Sequence, residues 1–321
     1  MSKYQEKERE KAVNNIKSKS PIFYGANGGE YFRNIKRDFV LKESEKNFFK
    51  EIYPNIKEYF SKNNVSWWGG KNPTGHVLSS QVACLNHLFY LKNDKKAVLD
   101  LLSSISNNFV DVLEIKTDKY NPGYVQFEAV SDIDHLNEGI STRGSNCTSI
   151  DALIYAKHKN GSLWLIPIEW KYTEHYDNLN KATEGCVSNP IKCKGKERRE
   201  RYTKLICKSQ QLKNKDHFCY YFEPFYQLMR QTLWAEQMIE NKENETLKAD
   251  NYLHIHVIPS ENKDLLEKKY KCSGLDMETT WKNHLIDDNK YVIISPKNFL
   301  NKLDRKKYKD LLFYLTERYW K

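Results

Sequence analysis

The sequence predicts an α/β (α+β) fold in which a mixed β-sheet is flanked by helices. Apolar residues recur at three- and four-residue spacing over 78–91 and 225–239, and this spacing is typical of helices. Between these segments the apolar residues alternate or run consecutively and are rich in β-branched and aromatic types, which is typical of strands. The resulting order of helix, three strands, helix and strand indicates a sheet covered by helices.

The chain has 321 residues, which is enough for one large domain or two ordinary ones. Residues 1–64 are rich in Lys and Glu with scattered aromatic residues, and we expect them to form a mainly helical N-terminal extension. Residues 65–260 are expected to form the core, with a basic, cysteine-containing insertion at about 175–222. Residues 261–321 are expected to add a strand and a helix that pack on this core.

Turn residues separate the predicted elements of the core. A loop with glycines and a proline precedes the first core helix, and Asn160-Gly161, among the strongest hairpin signals, lies between the second and third strands. The third strand begins with consecutive apolar residues, as expected for a strand that is buried on both faces. In chain order we predict helices at 78–91 and 95–106, strands at 124–130, 150–158 and 163–172, a helix at 225–239, strands at 252–259 and 291–294, and a final helix at 298–319.

Composition excludes several classes of protein. Aromatic residues make up 13 % of the chain, whereas disordered chains lack them. The cleanest apolar run, 163–168, is far shorter than the roughly 20 residues that a membrane-spanning helix needs. The N-terminus is charged from its third residue and has no apolar segment behind it, so we expect no signal peptide and a cytoplasmic protein. The seven cysteines are then expected to be reduced.

Positive charge is concentrated in one segment. Lys and Arg number 52 against 42 Asp and Glu, and this excess favours a polyanionic partner such as nucleic acid. The segment 191–215 contains ten Lys or Arg and only two Glu. It is either a solvated loop or helix face, or a segment that contacts phosphates. The candidate DNA-binding residues in it are Lys192, Lys194, Lys196, Arg198, Arg199, Arg201 and Lys204.

Four cysteines fall in or near this basic segment, at Cys186, Cys193, Cys207 and Cys219. Structural zinc sites usually contain a tight pair of cysteines separated by two to four residues, because a short turn then aims both sulfur atoms at one ion. No such pair occurs here. We therefore expect ordinary buried thiols rather than structural zinc.

Two charged residues within an apolar strand mark the candidate site. Glu169 and Lys171 are two residues apart, so they share one face of the strand. A three-residue loop in the preceding hairpin would place Asp151 directly opposite Glu169. A two-residue Asn160-Gly161 loop would instead place Asp151 opposite Trp170, so the site requires the longer loop or a compensating bulge.

Two carboxylates and a lysine on one face suit the hydrolysis of a phosphodiester. Asp151 and Glu169 can hold Mg²⁺, a hard ion that prefers oxygen ligands. Such an ion lowers the pKa of bound water, and Lys171 can orient the attacking water or stabilise the developing negative charge. The structural alternative is a cross-strand ion pair at the end of a sheet.

The order of these motifs resembles the PD-(D/E)XK phosphodiesterase superfamily, whose core is α-β-β-β-α-β. The segments 78–89, 143–154, 168–176 and 224–231 further resemble a bacterial family of proteins classed as restriction endonucleases. The resemblance implies a restriction-endonuclease-like fold, Asp151 and Glu169 as ligands of Mg²⁺ (for which Mn²⁺ can substitute), and Lys171 as the catalytic lysine. It also implies a bacterial cytoplasmic enzyme that cuts double-stranded DNA. The residue before Asp151 is Ile150 instead of the proline in the superfamily's name, a tolerated variation.

The same resemblance suggests further residues around the site. Glu128 on the neighbouring strand aligns with an F-E pair of the family and could complete the metal coordination; Asp132 and Asp134 are weaker rivals, expected in turns. Each remaining candidate could instead have a merely structural role; Arg143, for example, could either contact a phosphate or brace its loop. These supporting residues are Gln81 on the first helix, Arg143 before the Asp151 strand, Glu174 after Lys171, and Gln227 and Arg230 on one face of the following helix.

Several questions stay open at the level of sequence. A repair, recombination or RNA-directed nuclease could use the same site, and a non-catalytic basic nucleic-acid-binding protein could carry Glu169 and Lys171 as an ion pair. His254 and His256 share a strand face but lack an evident third zinc ligand, so we expect a packed pair. A homodimer would suit a two-fold DNA site.

Overall fold

The computed structural model describes residues 2–139, 142–188, 192–213 and 218–321. In these residues, nine strands and ten α-helices organise the chain. The strands are β1 Glu30–Phe32, β2 Ile35–Arg37, β3 Phe109–Leu113, β4 Gln126–Ala129, β5 Ile150–His158, β6 Leu163–Trp170, β7 Asn251–Tyr252, β8 His254–Val257 and β9 Tyr291–Ile294. The helices are α1 Lys3–Lys17, α2 Tyr53–Lys62, α3 Ser80–Leu88, α4 Lys95–Ser103, α5 Lys194–Lys208, α6 Phe225–Glu240, α7 Lys263–Leu266, α8 Met277–Asn283, α9 Pro296–Phe299 and α10 Lys309–Leu315.

The central sheet has seven strands in the described residues and is mixed. Its main path runs in the order β3-β5-β6-β8-β9, while β4 pairs with β5 and β7 pairs with β6. The hairpin β5–β6 is antiparallel, whereas β8 is parallel to both β6 and β9. This arrangement confirms the predicted mixed sheet flanked by helices, with the helix α3 before the strands and the helix α6 between β6 and β8.

The sheet separates two hydrophobic cores. One core joins α1–α4 and the C-terminal helices to one face of the sheet, and Trp170 is buried in it. The other core joins α5, α6 and α8 to the opposite face, where Leu165 and Leu153 lie. Because successive side chains of a strand point to opposite faces, β6 buries Trp170 on one side and directs Glu169 and Lys171 toward α6 on the other.

Several predicted elements differ from the structure. The final helix expected at 298–319 is broken into α9, α10 and a π-helical turn at Thr316–Trp320. Asp304 accepts the backbone N–H groups of Lys306 and Lys307, and this turn competes with a continuous helix. The strand expected at 252–259 is divided into β7 and β8.

The N-terminal segment and the basic segment also differ in detail from their predicted structures. Within residues 1–64 the hairpin β1–β2 accompanies the helices α1 and α2. The strand β3 had no counterpart in the prediction, because it has only five residues and an aspartate at its centre. The described part of the basic segment, 192–213, is mainly the helix α5; residues 191, 214 and 215 lie outside the described residues.

Two pairs of cysteines form disulfide bonds, Cys186 with Cys193 and Cys219 with Cys272. The expectation of seven reduced cysteines is therefore wrong for these four. Folding brings each pair of Cα atoms to 4.9 Å and 5.3 Å, within the range that a disulfide requires. Cys207 is free and exposed.

Across the described residues, no helix combines the length and the apolar character needed to cross a membrane.

Candidate active site

The register of the β5–β6 hairpin places the two predicted metal ligands opposite each other. Ala152 pairs with Ile168, and the adjacent pairs follow the same register along both strands. Continuing this register by one residue sets Asp151 across from Glu169, which confirms the longer hairpin loop. The backbone N–H of Trp170 donates to Asp151 Oδ2 at 2.7 Å, and this hydrogen bond orients the carboxylate at the end of the strand.

The strand β4 extends the pair into a row of three carboxylates. Phe127 pairs with Ala152 and Ala129 pairs with Ile150, so Glu128 lies level with Asp151 on the neighbouring strand. Glu128 is buried, and Gln81 Nε2 donates to its Oε1 at 2.6 Å. The helix α3 thus supplies, through Gln81, the hydrogen bond that holds the third carboxylate.

Glu128 has an unusual backbone conformation, with φ at 49°. A non-glycine residue in this left-handed region costs of order 1–3 kcal/mol and persists only where its surroundings hold it. Arg143 provides that support, because its Nε donates to the carbonyl of Glu128 at 3.1 Å and its Nη2 donates to the carbonyl of Phe127. Its Nη1 also pairs with Asp118 at 2.8 Å. In this structure Arg143 therefore braces the chain behind the site.

Lys171 lies in a closed set of polar contacts. Its Nζ is 2.5 Å from Glu169 Oε1 and donates to Gln227 Oε1 at 2.7 Å. The other oxygen of Glu169 accepts a hydrogen bond from Gln231 Nε2. Both Glu169 and Lys171 are buried, and buried charges of this kind are tolerated only when they are paired and hydrogen-bonded. The helix α6 therefore fixes both residues from one side.

Burial and nearby negative charge raise the pKa of two of the carboxyl groups. Desolvation by the surrounding protein raises the pKa of Asp151 well above its usual range, and the charges of Glu169 and Glu128 add to this effect. Burial raises the pKa of Glu128 to about 7, with hydrogen bonds from Gln81 and Ser149 acting in the opposite direction. Such perturbed groups cluster at functional sites, because catalysis and ion binding require charge that folding alone would avoid.

At Lys171 the surrounding negative charge favours the charged form of the side chain, whereas at the carboxyl groups it favours the neutral form. Burial is the largest single influence and favours its neutral form, but Glu169, Tyr176, Glu174 and Asp151 together outweigh burial, and the pKa of Lys171 lies well above its ordinary value. The lysine is therefore a fixed positive charge at neutral pH. It can stabilise negative charge, but it cannot take up a proton.

The donor set fits a hard divalent cation. Asp151 and Glu169 offer carboxylate oxygens from adjacent strands, and Mg²⁺ is usually held by one or two carboxylates together with water. Within the described ranges, no group of three or more His, Cys, Asp or Glu side chains is arranged to hold a metal ion. A partly hydrated ion can be held by two carboxylates, and a bound cation would offset the burial and the mutual repulsion that raise the pKa of Asp151 and of Glu128.

Two of the supporting candidates have structural partners in this arrangement. Glu174 Oε2 accepts the backbone N–H of Tyr172 at 2.6 Å, which closes the turn after Lys171. Arg230 Nε donates to Thr148 Oγ1 at 2.9 Å and lies 3.4 Å from Glu138 Oε1, so it is not brought to Lys171.

The remaining rivals also have local roles. Asp132 Oδ2 accepts the backbone N–H of Thr246, and Asp134 accepts two backbone N–H groups of its own loop. His254 and His256 are buried on β8, where His256 pairs in register with Glu169. Burial lowers the pKa of His254 to about 4, so this ring is neutral at physiological pH.

The helix α5 presents its charges to solvent above the first turn of α6. Tyr202 and Ile206 form its buried face, and the Tyr202 ring meets that of Tyr226 on α6 at 5.8 Å. Four of the candidate DNA-binding residues have local partners. Arg198 pairs with Glu184 at 2.8 Å, and Lys196 pairs with Glu200 at 3.9 Å. Arg199 donates to the carbonyl of Ala182, and Arg201 lies over the Tyr202 ring. Lys192, Lys194 and Lys204 are exposed.

The comparison with protein families decides the relationship of this chain. Residues 5–320 match the family described as restriction endonuclease associating with ARP. The chain belongs to this family. Membership confirms the resemblance to restriction endonucleases and, with the mixed sheet, the restriction-endonuclease-like fold class. No curated protein and no solved structure matches the chain.

Several residues that contact the candidate site were not predicted from the sequence. Gln231, which holds Glu169, was not among the predicted residues, although it lies one helical turn beyond Gln227 and could have been found by that spacing. Asp118 and Tyr59, which anchor Arg143, carry no local sequence signal, because they come from distant segments. These residues position the site.

Proposed function

We propose that this protein is a Mg²⁺-dependent endodeoxyribonuclease of the restriction type, which hydrolyses phosphodiester bonds of double-stranded DNA. One observation carries the proposal: Asp151 lies opposite Glu169 at the end of a central hairpin, with Lys171 beside them. Membership in a family of restriction endonucleases supports the reaction class. Mn²⁺ is expected to substitute for Mg²⁺, because it accepts the same oxygen ligands.

Asp151 and Glu169 would hold the metal ion, and Glu128 would complete or assist its coordination. When bound, the ion supplies a water of lowered pKa and neutralises charge on the phosphate. Arg143 and Gln81 support this role, because they donate hydrogen bonds to the backbone carbonyl and to the carboxylate of Glu128.

Lys171 would contribute a permanent positive charge. Protonated Lys171 would orient the attacking water or stabilise the negative charge that develops on the phosphate, and the upward direction of its pKa shift supports this role over that of a general base. Gln227 and Gln231 hold Lys171 and Glu169 from the same helix face, which limits the positions open to the ammonium group. Ordered groups of this kind lower the reorganisation needed during the reaction.

The net charge of +10 and the exposed lysines of α5 would provide the sequence-independent attraction for the DNA backbone. A two-fold DNA site would be matched by a homodimer of this chain. Sedimentation equilibrium with and without DNA would measure that assembly.

The test is digestion of closed-circular plasmid and phage DNA by the purified protein, in Mg²⁺ and in excess EDTA. The proposal expects discrete fragments in Mg²⁺ and none in EDTA. Cutting that persists in EDTA contradicts the mechanism. Degradation confined to linear DNA would indicate an exonuclease of repair or recombination, and cutting of RNA alone would indicate an RNA-directed enzyme. Salt-sensitive binding without any cleavage would indicate a non-catalytic binding protein.

A further inference from the structure

A pocket beside the candidate active site combines aromatic rings with positive charge. It is formed by the β1–β2 hairpin, the loop before α3 and the turn after Lys171, and it encloses a volume of about 310 Å³. Ligand sites of proteins begin at about this size. We call it the Trp68 pocket and define it by Phe32, Arg33, Arg37, Phe39, Trp68 and His76.

The rings form an ordered box. Phe32 stacks on Trp68 with ring centroids 4.9 Å apart, and His76 meets Phe32 at 4.8 Å and Phe39 at 5.1 Å. Trp68 remains 38 % exposed, which is unusual for the largest apolar side chain. Contiguous exposed apolar surface can mark a ligand-binding groove, and here Phe32 extends the exposed surface of Trp68.

Two arginines supply the charge. The Arg33 guanidinium lies 5.4 Å from the Phe32 ring centroid and 5.7 Å from that of Trp68. Arg37 Nε and His76 Nδ1 are buried and have no hydrogen-bond partner among the described residues, and a buried polar atom without a partner is costly. Arg37 Nε–H is a donor, whereas His76 Nδ1 donates or accepts according to the tautomer of the ring, so the pocket holds at least one unused donor that an anionic ligand could satisfy.

The other charged groups facing the pocket are already engaged. Arg9 lies 3.1 Å from Glu6, and Glu174 accepts the backbone N–H of Tyr172. The positive charges of Arg37 and Arg33 reinforce the effect of burial on His76 and lower its pKa to about 4, so the ring stays neutral. Glu174 adds one negative charge to the lining, against the positive charges of Arg33 and Arg37, so the lining keeps a net positive charge.

The pocket is connected to the row of carboxylates through Gln81. Gln81 Oε1 accepts the backbone N–H of Trp68 at 2.9 Å, and its Nε2 donates to Glu128. Thr173 and Glu174, which line the pocket, follow Lys171 by two and three residues. Two hydrogen bonds of one side chain therefore join the loop that carries Trp68 to the row of carboxylates.

We propose that the Trp68 pocket binds one unstacked nucleotide of the DNA substrate, with its base against the aromatic rings and its phosphate at Arg33 and Arg37. The identity of the substrate rests on the proposed function. A flat aromatic ligand with a negative charge suits both features of the pocket, and a base must leave the stack to enter a concave site. A simple phosphate would leave the rings without a role.

The test measures binding of short fluorescein-labelled DNA by anisotropy in EDTA, where no cleavage occurs. The probes are a matched duplex, a duplex with one mismatch and a single strand. Trp68→Ala and the double variant Arg33→Ala/Arg37→Ala are compared with two matched surface changes, Phe313→Ala and Arg305→Ala, at exposed positions of the C-terminal region. Thermal unfolding of each variant confirms that it is folded.

We expect Trp68→Ala to weaken binding of the mismatched duplex and the single strand by about 5-fold to 150-fold, the range for loss of a base-stacking partner. The double arginine variant should also bind these probes more weakly, because it removes the cations that would hold the phosphate. The matched surface variants should bind like the wild type. The wild type should also prefer the mismatched duplex, because its bases unstack at lower cost. Folded Trp68→Ala and double arginine variants that bind like the wild type would overturn the proposal.

Two further outcomes separate the proposals. If the wild type never cuts DNA but the pocket variants still bind DNA more weakly, the pocket assignment stands and the nuclease proposal fails. If the wild type cuts DNA and the pocket variants bind DNA as the wild type does, the nuclease proposal stands and the pocket assignment fails. A free nucleotide is tested with deoxyadenosine monophosphate in equilibrium dialysis. Binding of this nucleotide that no DNA probe displaces would overturn the assignment to the substrate strand.

Discussion

Arg143 offers the sharpest test of how the site is built, because the sequence allowed it either to contact a phosphate or to brace a loop. In the structure its side chain is directed into the protein, where it donates to the carbonyls of Phe127 and Glu128 and pairs with Asp118. The Asp118 side chain is 1 % exposed. We therefore expect Arg143→Met to act first on stability.

The size of the effect follows from the partners that remain. Removing one member of a buried ion pair costs roughly 3–5 kcal/mol, because a buried charge is left without compensation. Tyr59 OH and Gln126 Nε2 still donate to Asp118, at 2.5 Å and 2.9 Å. Relaxation of Glu128 from its left-handed conformation would return about 1 kcal/mol. We predict that Arg143→Met lowers the free energy of unfolding by about 2–4 kcal/mol.

Urea unfolding followed by circular dichroism measures this change at neutral pH. Asp118→Asn/Arg143→Met is the matched control, because it removes the orphaned charge, and its loss should be smaller than the sum of the two single losses. Because Glu128 would be released, cleavage by Arg143→Met should also need a higher Mg²⁺ concentration. A loss below about 1 kcal/mol, together with weaker DNA binding at unchanged Mg²⁺ dependence, would refute the brace and favour a phosphate contact.

Three further predictions concern other parts of the molecule. His87 Nε2 accepts a hydrogen bond from Trp320 Nε1 at 3.2 Å, and burial lowers the pKa of His87 to about 3 from 6.5. Because the unfolded chain therefore takes up the proton first as the pH falls, this residue should lower the free energy of unfolding by about 2 kcal/mol between pH 7.5 and 5. Urea titrations should show this loss in the wild type and not in His87→Gln. Gln231→Met removes the hydrogen bond to Glu169 and should weaken the apparent Mg²⁺ affinity in cleavage assays by about 10-fold or more, whereas an unchanged Mg²⁺ titration would mean that Gln231 does not position this ligand. Lys204→Ala should reduce the slope of log Kd against log salt concentration by about 0.9 if Lys204 contacts one phosphate, and an unchanged slope would remove it from the interface.

The centre of the site could be predicted because its determinants are local. Asn160-Gly161 marks the turn, and the charges of Glu169 and Lys171 interrupt an apolar strand within a few residues of it. Strand periodicity then allows only two registers, and the chemistry distinguishes them. The observed pairing of Ala152 with Ile168 is the one that brings Asp151 to Glu169.

The support around the site could not be predicted in the same way. Asp118 reaches Arg143 across 25 residues, and Tyr59 reaches it across 84, so neither contact leaves a periodic or local pattern. The disulfide between Cys219 and Cys272 likewise joins positions 53 residues apart. Such contacts depend on how the helices and loops pack on the sheet, which composition and spacing do not determine.

On the helix α6, one side chain that reaches the site lies one residue beyond a predicted candidate. The spacing placed Gln227 and Arg230 on one face, and the structure does bring Gln227 to Lys171. One residue further along, Gln231 and not Arg230 reaches Glu169, while Arg230 turns toward Glu138. Helix periodicity alone does not fix the rotation of the helix about its axis, which is set here by the apolar residues packed on the sheet.

The most direct test of the central claim compares cleavage of closed-circular DNA in Mg²⁺ by the wild type, Asp151→Asn and Asp310→Asn. Both changes remove one carboxylate charge, but Asp151 faces Glu169 and Asp310 is exposed on α10. We predict that the wild type and Asp310→Asn cut at the same rate, that Asp151→Asn does not cut although it remains folded, and that EDTA stops all cutting. Cleavage by Asp151→Asn at the wild-type rate would contradict the assignment of this site.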